Sequence, residues 1–358
     1  MTRRLLAHLK RYFPVLAFFG GFLWDALTLG RKVKVMDFWI LGAYLLAAAC
    51  LAVWLARREH RAIMPPDPEA GWQGQFRGLA WQAPYLLLQF FFGGIFSALF
   101  ILYFKSSGHL GAWLMALFLG ALLVGNEFMG ERYGRRFTLT WGLFGLNAIL
   151  LLNFVLPHLA GSLNPAWFHA STVLGASLAQ GLRWLSPGRP GRILPAWGVA
   201  AALALAWNLD MIAPVPLVKR DVAVGQQFVH KEGVFALQVE AAPAWQFWRE
   251  AARTVHVPEG GRLYGVSAVF APLGVTALLE HRWEYRDPSS GWRPVSRSRF
   301  AATGGRERGF RGYSYVSDPA VGDWRLVVAT QDGRTIVVLP LAVERGEGAA
   351  ENLITKEF

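Results

Sequence analysis

Two kinds of hydrophobic pattern divide this chain. Through residue 213 the apolar residues come in near-continuous runs, such as Tyr85 to Phe104 and Ala112 to Val124, broken by short charged loops. Runs this long and this sparsely charged do not suit a soluble core. About 20 apolar residues in a helix cross the roughly 30 Å hydrocarbon layer of a bilayer. Beyond residue 213 the pattern shifts to short alternating stretches punctuated by glycine, which is the period of half-buried strands. The expectation is an α-helical transmembrane bundle followed by an all-β, water-soluble domain.

Apolar length predicts about seven spans, near residues 13–29, 36–56, 82–104, 110–129, 138–158, 166–185 and 193–213. The first is short and carries Asp25. Charge orients them. Residues 1–213 hold 18 Lys/Arg against 8 Asp/Glu, and residues 214–358 hold 18 against 16. With the N-terminus cytoplasmic, 14 of the basic residues fall in inner segments and four (Arg31, Lys32, Lys34, Lys105) in outer loops, as the positive-inside rule requires. Seven spans then put the C-terminal domain on the outer face, which is the periplasm if the source is a Gram-negative bacterium with the bundle in its inner membrane. A net charge of +12 explained in this way gives no support to nucleic acid as a partner.

The expected organisation is two N-terminal transmembrane helices over 1–56 and a Pro-rich cytoplasmic linker over 57–80. A five-helix region follows over 81–213, then a connector over 214–233. A β-sandwich occupies 234–345 and a tail 346–358. Pro65, Pro66 and Pro68 stiffen the linker. Trp81, Trp113, Trp141, Trp167, Trp184 and Trp207 fall near span ends, where interfacial anchors belong. Gly93, Gly94 and Ser97 permit close helix approach. Cys50 is the only cysteine, so no intrachain disulfide forms.

In the soluble part, seven stretches read as strands: Val234–Val239, 263–270, 276–285, 292–300, 309–316, 323–330 and 335–343, separated by turns such as Asp332-Gly333. Their number and spacing suit an immunoglobulin-like antiparallel sandwich of two sheets. Ala244–Arg253 has the aromatic and basic spacing of a short interfacial or edge-covering helix.

Several of these residues also carry a family likeness. Gly291-Trp292, Gly304-Gly305-Arg306, Gly309-Phe310-Arg311-Gly312-Tyr313-Ser314-Tyr315, Gly322-Asp323-Trp324-Arg325 and Asp332-Gly333 together resemble the C-terminal module called domain of unknown function 2914. In the first half, the stretch from Gly20 to Gly30 and Val124-Gly125-Asn126-Glu127-Phe128 resemble the multi-span region attached to that module in some bacterial membrane proteins. The resemblance implies a bacterial multi-span membrane protein. It implies no catalytic residue.

Three groups are candidate sites. Asp25, Asn126, Glu127 and Arg132 form a candidate intramembrane polar set, because an ionisable group in hydrocarbon needs a partner. Arg132 is within chain reach of Glu127, and Arg31 and Lys32 are within reach of Asp25. His281, Trp283 and Tyr285 alternate onto one face of a strand and form a candidate aromatic face. Arg297, Arg299, Arg306, Arg308 and Arg311 form a candidate anionic-ligand surface, since guanidinium groups bind phosphate and carboxylate bidentately. No G-x-S-x-G, H-E-x-x-H, C-x-x-C or Walker-type sequence occurs, and the eight histidines lack metal-ligand spacing. No cofactor is therefore expected. The leading expectation is a non-enzymatic membrane protein whose outer sandwich binds an envelope partner or an anionic glycan or lipid. The alternative is a lipid-handling enzyme or flippase-like transporter with its site between bundle and sandwich.

Overall fold

The computed structural model describes residues 23, 27, 35–61, 71–129, 132–231, 233–246, 249–272, 274–303, 309–346 and 352–358. The helices are α1 (Val35–His60), α2 (Gly71–Ser106), α3 (Leu110–Asn126), the single turn α4 (Arg132–Arg135), α5 (Phe137–Ala160), α6 (Pro165–Leu185) and α7 (Leu194–Asn208). Among the described residues three segments are long and apolar enough to cross a membrane: Met36–His60, Ala80–Ser106 and Phe137–Ala160. Seven were expected. The difference has physical causes. At 1.5 Å per residue, the 17 residues of α3 and the 15 of α7 fall short of the hydrocarbon thickness. α6 has the length, but Ser171, Thr172, Gln180 and Arg183 dilute its apolar character. The first expected span lies outside the described residues.

The chain divides into two compact units. The first comprises Met1–Phe104, Ala116–Val155 and Phe168–Leu205. Small residues set its helix contacts. A Cβ on Gly175 of α6 would lie 2.6 Å from the Ile149 backbone nitrogen of α5, and one on Gly145 of α5 would meet the Ala196 Cβ of α7 at 3.1 Å. Gly94 of α2 lies against the Tyr44 ring of α1, so its lack of a side chain admits the aromatic ring. Trp141 is fully buried and donates its indole N–H to the Pro190 carbonyl at 2.9 Å. It is a core residue of α5 rather than an interfacial anchor.

The second unit comprises Lys105–Met115, Leu156–Trp167 and Ala206–Phe358. Its strands are β1 (Val218–Gly225), β2 (Gln227–Lys231), β3 (Val234–Glu240), β4 (Thr254–Val257), β5 (Arg262–Phe270) and β6 (Thr276–Asp287). They continue with β7 (Gly291–Thr303), β8 (Phe310–Ser317), β9 (Gly322–Thr330), β10 (Thr335–Arg345) and β11 (Leu353–Glu357). They form a large sheet β4-β10-β9-β6-β7, a middle sheet β1-β5-β8 and a small sheet β11-β3-β2.

The middle sheet is covered on both faces. Leu263 and Val269 of β5 join Val224, Trp283, Leu326 and Val343 in the core shared with the large sheet. Val266 and Ala268 join Ala223, Leu237, Val239 and Phe358 in the core shared with the small sheet. Successive side chains of a strand point to opposite faces, so β5 reads as a nearly unbroken apolar run.

Seven strands in two sheets were expected; the described residues form eleven in three. The stretch read as a connector contains β1 and β2, and the tail contains β11, which pairs with β3. Charged residues on β1 and β11 interrupt the alternation and hide it. The described residues of 244–253 form a turn and an extended segment in which Ala251 bridges Ala241, with no helix among them.

The three segments that precede the β domain in sequence make direct hydrogen bonds to its strands. Val338 donates its N–H to the Gly108 carbonyl at 3.4 Å, and Thr276 donates to Gly161 at 3.3 Å. The Thr335 N–H donates to Asp210 Oδ1 at 3.2 Å. The Arg334 guanidinium lies over the Trp207 ring at 4.5 Å and also donates to the Trp207 carbonyl.

Candidate binding cleft between two edge strands

Topology leaves two strands with a free edge on the same flank. β7 ends the large sheet and β8 ends the middle sheet. Between them lies a cleft of about 720 Å³. From β7 it is lined by Ser296, Ser298, Arg299, Phe300 and Ala301. From β8 it is lined by Phe310 through Tyr315, and Phe235 of β3 completes it.

Alternation along β8 divides its side chains between two tasks. Phe310 and Val316 enter the core facing the large sheet, and Ser314 faces the same way. Gly312 lies against the Phe300 ring so closely that no Cβ fits. Arg311, Tyr313 and Tyr315 take the opposite face. Tyr313 stacks on Phe228 with ring centroids 4.5 Å apart, and Tyr315 tilts against Tyr264 at 5.7 Å. The Arg262 guanidinium lies 5.1 Å from the Tyr315 ring. Tyr313 and Tyr315 nevertheless remain 47% and 44% exposed. Arg311 donates through Nη1 to the Gly233 carbonyl, while its Nε is buried without an acceptor.

The five arginines singled out in the sequence do not form one surface. Arg306 and Arg308 lie outside the described residues. Arg297 and Arg299 face outward from the large sheet, opposite Arg282 and Glu280 of β6. Arg299 Nε stands 3.8 Å from Glu280 Oε2. Arg311 belongs to the middle sheet. Of the five, Arg299 and Arg311 line the cleft.

The outward face of β6 is a charge network. Glu284 is held by Arg282 at 2.6 Å and by Arg325 at 2.5 Å, and the Arg325 guanidinium lies over Trp292 at 4.3 Å. Part of the sequence's basic surplus is thus neutralised in place.

The aromatic face proposed from sequence lies in the core. His281 and Trp283 are fully buried and Tyr285 packs against the same cluster. His281 sits between two hydroxyls, with Nε2 2.7 Å from Ser267 Oγ and Nδ1 2.9 Å from Ser314 Oγ. The Trp283 indole N–H donates to Ser314 Oγ at 2.9 Å. Burial pushes the imidazole down to about 3, so it is neutral at physiological pH. The aromatic surface open to a ligand is instead Tyr313 and Tyr315, backed by Phe228, Phe235 and Tyr264. The alternation Arg311, Tyr313, Tyr315 was readable, but it came inside a segment rich in glycine and arginine.

In the helical unit, Asn126 and Glu127 are brought together with Gln89. Asn126 Nδ2 donates to the Gln89 carbonyl at 3.0 Å and Gln89 Nε2 donates to the Glu127 carbonyl at 3.1 Å. Tyr133, which sequence reasoning missed, donates its hydroxyl to Asn126 Oδ1. No ion pair joins Glu127 and Arg132 among the described residues, so the tether at this helix end is amide and phenol rather than ionic. Asp25 lies outside the described residues. No group of three or more His, Cys, Asp or Glu able to hold a metal ion occurs among the described residues.

Residues 277–340, which run from β6 into β10, match the family described as "Protein of unknown function (DUF2914)". No curated protein matches the chain. Among solved structures, an immunoglobulin-like protein from Pseudomonas aeruginosa aligns over 34% of this chain and 97% of its own, at 10% identity and TM-score 0.20. A β-glucosidase from Listeria innocua in complex with gluconolactone aligns over 32% of this chain and 17% of its own, at 11% identity and TM-score 0.19. An alkylpurine DNA glycosylase from Pseudomonas fluorescens bound to DNA with an abasic-site analogue aligns over 84% and 97%, at 8% identity and TM-score 0.20. Likeness at these scores carries no argument about what this chain does.

Proposed function

We propose that this chain is a membrane-anchored binding protein whose β domain holds an anionic glycan in the cleft between β7 and β8. The observation that carries the reading is that one cleft is lined by Arg299, Arg311 and the half-exposed Tyr313 and Tyr315. A buried guanidinium N–H without an acceptor is costly, and Arg311 Nε is one. Guanidinium groups match carboxylate and phosphate in shape and charge, while tyrosine offers an apolar ring face and a polar tip. Serines 296 and 298 supply neutral hydrogen-bonding groups beside them. The volume falls in the range of about 300–1,000 Å³ typical of small-ligand sites.

The finer membrane arrangement belongs to the same proposal. α3, α6 and α7 complete a bundle in a bacterial inner membrane, with the N-terminus cytoplasmic and the β domain periplasmic. Two observations support it. The basic residues concentrate in alternate loops. Lys105–Met115, Leu156–Trp167 and the segment from Ala206 all cluster with the β domain, as connectors on one side of an alternating bundle would.

Binding of full-length protein in detergent to an acidic polysaccharide and to a neutral one tests the reading. The acidic polymer should bind, and Arg299→Ala with Arg311→Ala should weaken it tenfold or more. Raising salt should also weaken it, because charges in water are screened beyond about 8 Å at physiological ionic strength. Equal binding of the neutral polymer, or an undiminished double variant, refutes it.

A further inference from the structure

We propose that Arg58, caged by Trp54, Trp81 and Tyr85, is a receptor for the phosphate of a lipid head group. Arg58 lies in the last turn of α1 beside Arg57 and His60. It is only 7% exposed. Its guanidinium carbon stands 3.9 Å from the Trp81 ring centroid, 4.8 Å from that of Tyr85 and 5.0 Å from that of Trp54.

The sequence of α2 explains how the cage is set. Pro84 lies inside that helix, where it has no N–H to give and its ring pushes against the preceding turn. In that turn the Trp81 carbonyl accepts from Arg58 Nη1 at 3.1 Å. One end of the guanidinium is therefore held by a carbonyl in the turn before Pro84. The other end has no such role. Nη2 is buried without a partner, and no carboxylate pairs with Arg58 among the described residues.

A buried cation lacking both counter-ion and a full set of acceptors is unfavourable. Three ring faces offset part of that cost. An anionic oxygen at Nη2 would supply the rest, and phosphate is an anion that guanidinium groups match in charge and hydrogen-bonding geometry. The inference rests on α1 and α2 crossing a membrane. Met36–His60 and Ala80–Ser106 are both candidate spans, and the cage joins the end of one to the start of the next. That places it at head-group depth, where tryptophan and tyrosine accumulate. Trp54 is 47% exposed and is the wall that turns to admit the phosphate, a side-chain motion of ordinary timescale.

The test uses full-length protein stripped of lipid in mild detergent and titrated with short-chain phosphatidylglycerol, with bound lipid counted by native mass spectrometry. Diacylglycerol of the same chain length and inorganic phosphate serve as comparison probes. Wild type should retain one phosphatidylglycerol and no diacylglycerol. Arg58→Gln should lose at least tenfold in affinity and Arg58→Lys should fall between. Saturation by inorganic phosphate without phosphatidylglycerol binding would overturn the lipid as source. Undiminished phosphatidylglycerol binding by Arg58→Gln, or equal binding of diacylglycerol, overturns the site itself. Should Arg58→Gln not fold, Trp54→Ala decides: an open wall must change the affinity, and an unchanged affinity refutes the cage. If the protein stays soluble without detergent, the membrane reading fails separately from the site.

Discussion

His281 joins two strands of the middle sheet to the large sheet through a single imidazole, and its burial makes the domain sensitive to acid. An unfolded histidine titrates near 6.5, whereas the folded imidazole is pushed down to about 3. Below pH 6.5 the unfolded chain therefore binds a proton that the folded one refuses. The stability this group contributes is complete above 6.5 and declines as pH falls toward 3. Thermal unfolding measured from pH 6.5 down to 4.5 should show a falling melting temperature, and His281→Gln should flatten that slope. An unchanged slope would mean that another group is responsible. Gly265 makes a second prediction at this scale. A Cβ there would lie 2.6 Å from Leu326 Cδ2 and 2.7 Å from Trp283 Cζ2. Gly265→Ala should cost about 1–3 kcal/mol, as overpacking of a filled core does, measurable by denaturant unfolding.

At the scale of single elements, β6 and β8 show where a strand's two faces part company. On β6 the inward residues Leu279, His281 and Trp283 build core, while outward Glu284 is gripped by two arginines. Glu284→Gln should destabilise the domain by about 1–3 kcal/mol, because it leaves two partly buried cations short of an acceptor. Equilibrium unfolding would check this, and a neutral effect would show that the network is dispensable. The strand positions of β6 through β10 were legible because alternation and glycine turns were intact. Which face of β6 was the wet one was not legible. His281, Trp283 and Tyr285 look like a ligand platform in one dimension, and only the partner sheet reveals that they are enclosed. β1, β2, β4 and β11 were missed for the opposite reason. Their apolar residues are few; β1, β4 and β11 are specified by pairing with a distant strand, and β2 by pairing with its neighbour β3.

For the whole molecule, the boundary between an apolar helical half and a β domain was plain from periodicity alone. The number of spans was not, because apolar length in sequence includes residues that the structure assigns to connectors. The stretch read as a span over 193–213 ends as helix at Asn208, and the residues after it join the β unit. Fusions test the alternating arrangement. Alkaline phosphatase joined after Val218 should be active in intact cells, and the same enzyme joined in the loop at Gly188 should be inactive. The reverse pattern would invert the proposed orientation, and equal activity would end it.

The apposition of Gly108 with β10 also constrains how the chain is made. A ribosome delivers residue 108 long before residue 338, so the early connector emerges without the strand that will cover its carbonyl. The same wait applies to Asp210, whose carboxylate accepts from the Thr335 N–H. Folding of the second unit thus cannot proceed strictly in the order of synthesis. The β9–β10 hairpin, made long after the connectors, closes joints that those earlier segments leave open.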